Sequence, residues 1–457
     1  MKKSEFKKYP KYKHSGIEWI GEIPEGWEVR RLKYEAKIQG GFAFKSEEFS
    51  DEGIPIIRIG DISSKIDFNN CKKTSETNIP TEFKLRKYDT LIALSGATIG
   101  KMCFISEDFE SYINQRVASV NNQSKCLHYF LNSEFFVEQI FLSAGGSAQE
   151  NISTNTIGNF FIPKPPKSEQ TAIANYLDDK AAKIDSLIEK KKKLIELCKE
   201  ERTAVINEAV TKGLNHDSHD LADEHDKKNH GNPLIKLNQG SDTKMKDSGI
   251  DWLGQIPQHW EVKKLKYVGN IVLGKMLTND DKGGYYLKPY LRAANLQWFK
   301  VNVEDVKEMW FSEAELEKLR IEEFDLLVSE GGEVGRTCIW QKELEECFIQ
   351  NSVHKITIEQ NQDPLFFLYL MYYLGSIGLF ESIVNRISIA HLTGEKIKDI
   401  PVWHPHKTEQ HQIVQYIEAE TKRIDGKIAR TEKEIELLRE YRTALISEVV
   451  TGKIKVC

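Results

Sequence analysis

The chain has 457 residues, 40% of them hydrophobic and 29% charged, with 64 Lys and Arg against 69 Asp and Glu and a net charge of −5. That is too long for one ordinary core and predicts two or three domains. No run of about 18 apolar residues is present, so no helix is expected to cross a membrane. The slightly acidic total argues weakly against a histone-like, purely electrostatic nucleic-acid binder, and not against a sequence reader, which needs only a local basic surface.

The chain opens on MKKSEFKKYPKYKH, whose Lys2, Lys3, Lys7, Lys8, Lys11 and Lys13 form a basic arm; no apolar stretch follows, so it does not read as a secretory signal. Next comes SGIEWIGEIPEGWEVRRLKY from Ser15. It returns as SGIDWLGQIPQHWEVKKLKY from Ser248, an offset of 233 residues. Internal duplication therefore sets the architecture. Trp19 and Trp27 recur as Trp252 and Trp260, which predicts core anchors or a partner-facing surface rather than base-stacking platforms. Trp19 and Trp252 are expected in equivalent places.

The middles of the two copies match faintly. IPIIRIGDI (54–62) echoes KPYLRAANL (288–296) and aligns Arg58 with Arg292. LIALSGATIGKMCFI echoes LLVSEGGEVGRTCIW and aligns Gly100 with Gly335 and Lys101 with Arg336; NQR and IQN align Gln115 with Gln350. Runs of β-branched and aromatic residues between Gly-rich turns predict mixed α/β domains of several short strands over 1–166 and 245–406. Late in each, LHYFLNSEFFVEQIF and PLFFLYLMYYLGSIGLFESIV read as core-packed helices.

At 167–214 the pattern changes to a long amphipathic helix. Ile173, Leu177, Ile184, Ile188, Ile195, Cys198, Val205 and Ala209 recur at threes, fours and sevens, the seam of a coiled coil. The stretch returns at 407–457, now offset by 240 residues, with Ile413, Ile417, Ile424, Ile428, Ile435, Leu438, Leu445 and Val449 on the same stripe. Ser168 and Thr408 stand where an N-cap belongs, with Glu169 and Glu409 in the first turn, where carboxylates suit the helix dipole. Pro165, Pro166 and Pro405 stop each helix from spreading backwards. About 45 residues at ~1.5 Å each give a rod of roughly 65–70 Å. Each apolar stripe needs a partner, and the copy in the same chain is the nearest. Antiparallel pairing then sets a domain at each end. Between the copies, 215–244 is polar and reads as a linker. Its histidines and aspartates (His216, His219, His225, His230, Asp217, Asp220, Asp226) suggest a metal site less than a solvated tether, because no rigid element fixes their geometry.

Chemistry is hard to find. GATIGK is one residue short of a phosphate-binding loop and has Met102 where Ser or Thr should hold Mg²⁺, so it reads as a tight turn between strands. GxGxxG, HExxH and GxSxG are absent. TEFK at Thr81 holds an E-x-K fragment without a matching acidic partner, and His391 and His404–His406 read as local packing or capping. No catalytic residue, bound cofactor or metal is expected. Seven cysteines (Cys71, Cys103, Cys126, Cys198, Cys338, Cys347 and Cys457) form no CxxC pair and no disulfide framework, which fits a reducing cytoplasm.

Two variable domains, each preceded by SGI-[ED]-W-[IL]-G-x-IP-x-x-W-E-V and followed by P-x-x-[ST]-EQ and a helix, resemble the specificity subunits of type I restriction–modification enzymes (HsdS). YLRAANLQ and SEGGEVGR add to the likeness, which covers nearly the whole chain; the lengthened linker departs from the pattern. The resemblance implies an α+β architecture: two target-recognition domains joined by two long helices in an antiparallel coiled coil with a pseudo-two-fold repeat. Each domain would read half of a split site in double-stranded DNA. The helices, with Leu177, Ile184, Ile188 and Ile195 against Ile417, Ile424, Ile428 and Ile435, would measure the spacer and dock two methyltransferase subunits. Restriction/translocase subunits would join that core, with S-adenosylmethionine, ATP and Mg²⁺ held by the partners. A rod under ~70 Å caps the half-site separation at about 20 base pairs. Arg, Lys, Asn and Gln suit base reading, which nominates Arg58, Lys101, Gln115, Arg292, Asn295, Arg336 and Gln350. Two other readings are a protein-bridging scaffold with two ligand domains and no DNA role, and an enzyme with an embedded nuclease or methyltransferase site.

Overall fold

The computed structural model describes residues 7–63, 66–75, 78–121, 124–145, 151–214, 244–384 and 391–456. They form two compact units, Met1–Lys193 with Thr431–Cys457, and Leu194–Arg430. Apart from Lys244, the expected linker lies outside the described residues, as do Lys2 and Lys3 of the basic arm.

In the first unit a four-stranded antiparallel sheet is built from β1 (Lys37–Gly40), β2 (Asp89–Ala93), β3 (Met102–Phe104) and β4 (Val117–Asn121), in the order β1-β4-β2-β3. All five residues of β2 are buried, Leu91, Ile92 and Ala93 as core and Asp89 with its carboxylate accepting from Asn121 at 2.6 Å. A smaller sheet sets Ile54–Ile57 between Lys73–Thr74 and Tyr112–Ile113. Ile57, Leu91, Ile113 and Val117 join the two sheets in one core. GATIGK is the turn between β2 and β3, folded as a short 3₁₀ turn over Gly96–Thr98.

The second unit repeats this plan. β5 (Gly269–Leu273), β6 (Leu326–Ser329), β7 (Thr337–Ile339) and β8 (Val353–Ile358) take the order β5-β8-β6-β7. Tyr286–Leu291 lies between Lys307–Phe311 and Phe348–Ile349. The late helix of each copy is broken in two. Lys125–Leu131 gives way to Glu134–Ala144, and Pro364–Ser376 to Leu379–Ile383, the second break carrying Gly378 in a left-handed conformation. Phe366, Phe367, Leu370 and Met371 are buried in the core, so their apolar density serves packing. Among the described residues no helix is long and apolar enough to cross a membrane.

Two long helices follow the domains, α1 (Lys167–Lys212) and α2 (Lys407–Val450). They run antiparallel within each unit. In the first, Asp185 pairs with Arg442 at 3.1 Å and Lys191 with Glu434. In the second, Glu201 pairs with Arg423 at 2.8 Å and Arg202 with Asp425 at 3.2 Å. Leu177, Ile184, Ile188, Ile417, Ile424 and Ile435 are buried along the seam, while Ile195 and Ile428 are half-buried. This is the two-domain, antiparallel coiled-coil plan that the repeat predicts.

The constant ends of each copy are bonded to one another. Glu28–Arg31 pairs with Phe161–Lys164 just before α1, and Glu261–Lys264 with Pro401–His404 just before α2. Trp27 and Trp260 are fully buried and donate Nε1–H to Glu169 at 2.9 Å and to Glu409 at 3.1 Å. Gln170 and Gln410 each donate Nε2–H to a proline carbonyl, of Pro165 and Pro405, at 2.8 Å. Ser168 and Thr408 are therefore not N-caps. The helices begin earlier, at Lys167 and Lys407, and the amide of Gln170 already bonds to the carbonyl of Pro166 at 3.0 Å. The first-turn carboxylates serve the tryptophans instead of the dipole alone.

A collar closes over each buried tryptophan from the far end of the other helix. Gly452, just past α2, lies against Pro24 and Trp27, and Gly213, just past α1, against Pro257 and Trp260. Trp19 and Trp252 sit in matching turns, each closed by a serine amide bonded across to a glycine carbonyl (Ser15 to Gly21, Ser248 to Gly254) at 2.9 Å. Their neighbours differ, Phe130 for Trp19 and Trp403 for Trp252.

Candidate nucleic-acid interface

Strand ends place loops from distant parts of the sequence side by side at one edge of each domain. In the first, the turn after β1 meets the turn before β4: Phe42 bridges Asn114, and the amide of Gln115 donates to the carbonyl of Phe42 at 2.8 Å. The Asn114 amide reaches the carbonyl of Ile57, next to Arg58, at 2.9 Å. Leu94, in the β2–β3 turn, bonds to Arg116 and Ile152. The second domain repeats the arrangement with Lys275 against Gln350, the Gln350 amide on Leu291, and Glu330 bonded to Ser352 and Leu392. Loops held on a rigid sheet are a favoured place for binding residues.

The registers correct one alignment. Ile57 pairs with Ile113, and Leu291 with Ile349. The residues that follow, Asn114 and Gln350, are therefore equivalent, and Gln115 corresponds to Asn351. The side chains agree: Asn114 Oδ1 accepts from the Arg116 amide at 3.4 Å, and Gln350 Oε1 from the Ser352 amide at 3.2 Å. The slip arose because glutamine was matched to glutamine across a divergent stretch. Lys101 and Arg336 are equivalent as expected, their carbonyls accepting from Ala93 and Ser329 at 2.9 Å each.

The nominated residues divide by what holds them. Lys101 and Gln115 are exposed at the edge of the first domain. Arg58 is half-buried, its Nε 3.3 Å from Asp61, whose carboxylate also accepts the Arg58 amide at 2.9 Å. Arg292 binds the carboxylate of Asp305. Lys307 and Arg292 together hold that carboxyl below its usual range, the hydrogen bond from Lys307 being the larger influence. Arg336 donates to the Leu296 carbonyl at 2.8 Å and to Glu333, whose other oxygen accepts from Trp298 Nε1 at 2.6 Å. Asn295 is buried and donates to the carbonyls of Asn302 at 3.0 Å and Asp305 at 3.1 Å, so its side chain closes a turn. Gln350 engages Asn351 and Ser352.

Sequence comparison missed Arg116, exposed beside Gln115, although NQR contains it. It also passed over Met276 and Leu277, 75% and 50% exposed next to Lys275. Arg116 and Met276 have no counterpart of like chemistry in the other copy, and Leu277 matches the buried Phe44, so a search for matched polar pairs has no signal for them. Among the described residues no group of three or more His, Cys, Asp or Glu is placed to hold a metal ion; the His/Asp-rich stretch lies outside those residues.

A duplicated α+β domain with a constant collar and a variable loop edge, followed in each copy by a long helix, defines a recognition protein with two reading domains. The type I restriction modification DNA specificity domain matches twice, over residues 24–197 and 257–437. The chain belongs to that family, and its task is DNA-sequence recognition. It is 25% identical to the type I restriction enzyme EcoBI specificity subunit of Escherichia coli over 87% of this chain and 79% of that one. It is 25% identical to the putative type I restriction enzyme MjaX specificity subunit of Methanocaldococcus jannaschii over 96% of both. The MjaVIII specificity subunit of the same archaeon is 32% identical over 42% of this chain and 47% of its own length. In fold it is similar to a solved chain of a type I restriction–modification system (TM-score 0.59, 16% identity, covering 94% of this chain and 99% of that chain). It is also similar to the HsdS subunit of Thermoanaerobacter tengcongensis (TM-score 0.52, 15% identity, covering 94% and 98%).

Proposed function

We propose that each domain reads one half of a split site in duplex DNA and that the paired helices set the unread spacer between the halves. The observation that carries this reading is the contrast within the repeat: the two collars share their Trp–Glu and Gln–Pro bonds, whereas the two loop edges carry different side chains. Such a protein presents two different readers on one scaffold, which suits an asymmetric bipartite site because half-site spacing follows protein geometry. In the first domain Lys101, Gln115 and Arg116 stand outward and suit phosphate and base-edge contacts.

The helices also dock two methyltransferase subunits, through which restriction subunits assemble. S-adenosylmethionine, ATP and Mg²⁺ belong to those partners, and the complex works in the cytoplasm. The chain itself supplies recognition and assembly. Methylation mapping of host DNA with and without this gene tests the reading. It is expected to reveal one split motif, giving both half-sites and the spacer, that is methylated only when the gene is present. Failure to direct methylation to any split sequence would overturn it.

A further inference from the structure

We propose that the second domain grips its half-site through two adjoining features: an apolar tip, Met276 and Leu277, that packs on thymine C5-methyl groups, and a lysine-lined cleft beside it that takes the neighbouring phosphodiester backbone. The proposal rests on the DNA-reading role above and names the chemistry of one half of it.

The tip is pinned on both sides. Gly274 lies so close to the next strand that a Cβ there would fall 2.4 Å from the carbonyl oxygen of Gln350. The Asn351 amide donates to the Lys275 carbonyl at 2.8 Å. The Lys275 ammonium is held by the Trp310 carbonyl at 3.0 Å and Glu315 at 2.7 Å. On the far side the Trp310 amide donates to the Thr278 carbonyl at 3.1 Å. Between these anchors Met276 and Leu277 are 75% and 50% exposed. Large apolar side chains displayed on a fixed backbone mark a contact surface. The equivalent positions of the first domain hold Ala43 and Phe44. Phe44 is buried against Phe42, Phe49 and Tyr112, so the display belongs to the second domain alone.

Three of the polar side chains nominated in this domain are already engaged. Gln350 binds its neighbours Asn351 and Ser352, Arg292 binds Asp305, and Arg336 binds Glu333 and a carbonyl. What Met276 and Leu277 offer a base is carbon. The apolar feature of the DNA major groove is the thymine methyl.

Leu273, one residue before Gly274, lines a cleft of about 690 Å³ whose walls also carry Glu317, Lys318, Lys355 and Lys398. Lys318 and Lys398 are exposed there beside the single carboxylate of Glu317, while the buried Lys355 ammonium is held by the Arg320 carbonyl and Asp325. Ile271, Val272, Leu273 and Ala314 share that wall with Lys318 and Lys398, whose charges an apolar protein partner would leave unpaired, whereas a duplex supplies a methyl and a phosphate strand side by side.

The test uses the full chain with its modification partners and a duplex carrying the mapped site, with each thymine in turn replaced by deoxyuridine. One or two replacements in a single half-site are expected to weaken binding roughly 3- to 10-fold. The M276A/L277A variant is expected to lose a similar factor on the thymine duplex and to be indifferent to those replacements. Lys318→Ala and Lys398→Ala are expected each to lower the slope of log affinity against log salt by about one, with sequence preference retained. Thermal melting of each variant separates loss of contact from loss of fold. A flat deoxyuridine scan, an equal loss in the M276A/L277A variant, or an unchanged salt slope overturns the proposal while leaving DNA reading intact. Absence of any sequence-specific duplex binding by the unaltered complex overturns both.

Discussion

Trp27 Nε1 donates to Glu169 Oε2 across 142 residues of chain, at 2.9 Å, and Tyr9 donates its hydroxyl to the same oxygen at 2.7 Å. The bond joins the opening hairpin of the first domain to the first turn of α1. Trp260 and Glu409 make the same tie in the second unit, where His259 takes Tyr9's part at 2.7 Å. Hydrogen bonds to a carboxylate contribute about 1.5–3 kcal/mol. Trp27→Phe and Glu169→Gln are each expected to lower stability by about 1–3 kcal/mol, with a double mutant well short of additive. Urea unfolding of the four proteins checks this. Fully additive losses would mean that the two residues act apart.

Gly452 has φ +76°, and a Cβ there would lie 2.4 Å from Pro24 Cδ. Gly213 has φ +74°, but its nearest neighbour, Trp260, is 3.3 Å away. Both substitutions to alanine incur the left-handed strain of about 1 kcal/mol, and only G452A adds a clash with a rigid ring. G452A is therefore expected to be the more destabilising of the two. Equal melting temperatures for the two variants would contradict the packing described for the collar.

His128 is half-buried against Phe104 and bonded to Thr90, and desolvation, aided by Arg442, lowers its pKa to about 4. In the unfolded chain it takes a proton near pH 6.5. Between those values the unfolded state binds more protons, so this group's contribution to stability is full above about pH 6.5 and is lost as pH falls towards 4. Denaturation midpoints from pH 7 to 4 are expected to fall more steeply for the unaltered chain than for His128→Gln.

Burial raises the thiols of Cys71 to about 11 and of Cys126 and Cys347 to about 12. Thiolate is the reactive form. At pH 8 iodoacetamide is expected to leave these three unmodified in the folded protein and to modify them in urea. Rapid labelling of Cys347 without denaturant would show that the second domain opens locally.

In the first domain Lys101→Ala and Arg116→Ala should weaken duplex binding. A lysine on phosphate predicts a loss shared by all sequences and a salt slope lower by about one; an arginine on a base edge predicts a loss of about 1–3 kcal/mol confined to one position of the site. Binding measured at several salt concentrations on matched and mismatched duplexes assigns each residue its part.

Much of the fold was legible in the sequence because its constraints repeat. Trp27, Glu169 and Gln170 recur with Trp260, Glu409 and Gln410 because each is tied to a partner that also recurs. The seam positions Leu177 and Ile424 showed themselves by period alone. The reading edge was less legible, since its side chains differ between copies by necessity. Matching like with like nominated Arg292 and Arg336, and residue type nominated Asn295; the structure commits them to Asp305, to Glu333 and to backbone carbonyls, and the matching misplaced Gln350 by one residue. Unmatched residues such as Met276 and Arg116 carried no repeat signal, and only the meeting of loops from distant parts of the chain brings them forward.

The collar around Trp27 also sets an order of events during synthesis. The second unit is one continuous stretch, whereas the first needs Thr431–Cys457, and Gly452 meets Trp27 from 425 residues away. At ~5–20 residues per second, a ribosome takes roughly 20–85 s to deliver that stretch. For that interval the first domain stands with its largest buried side chain uncovered on one side, while the second domain is made and can close. The half of the protein that is translated first is thus the half that finishes folding last.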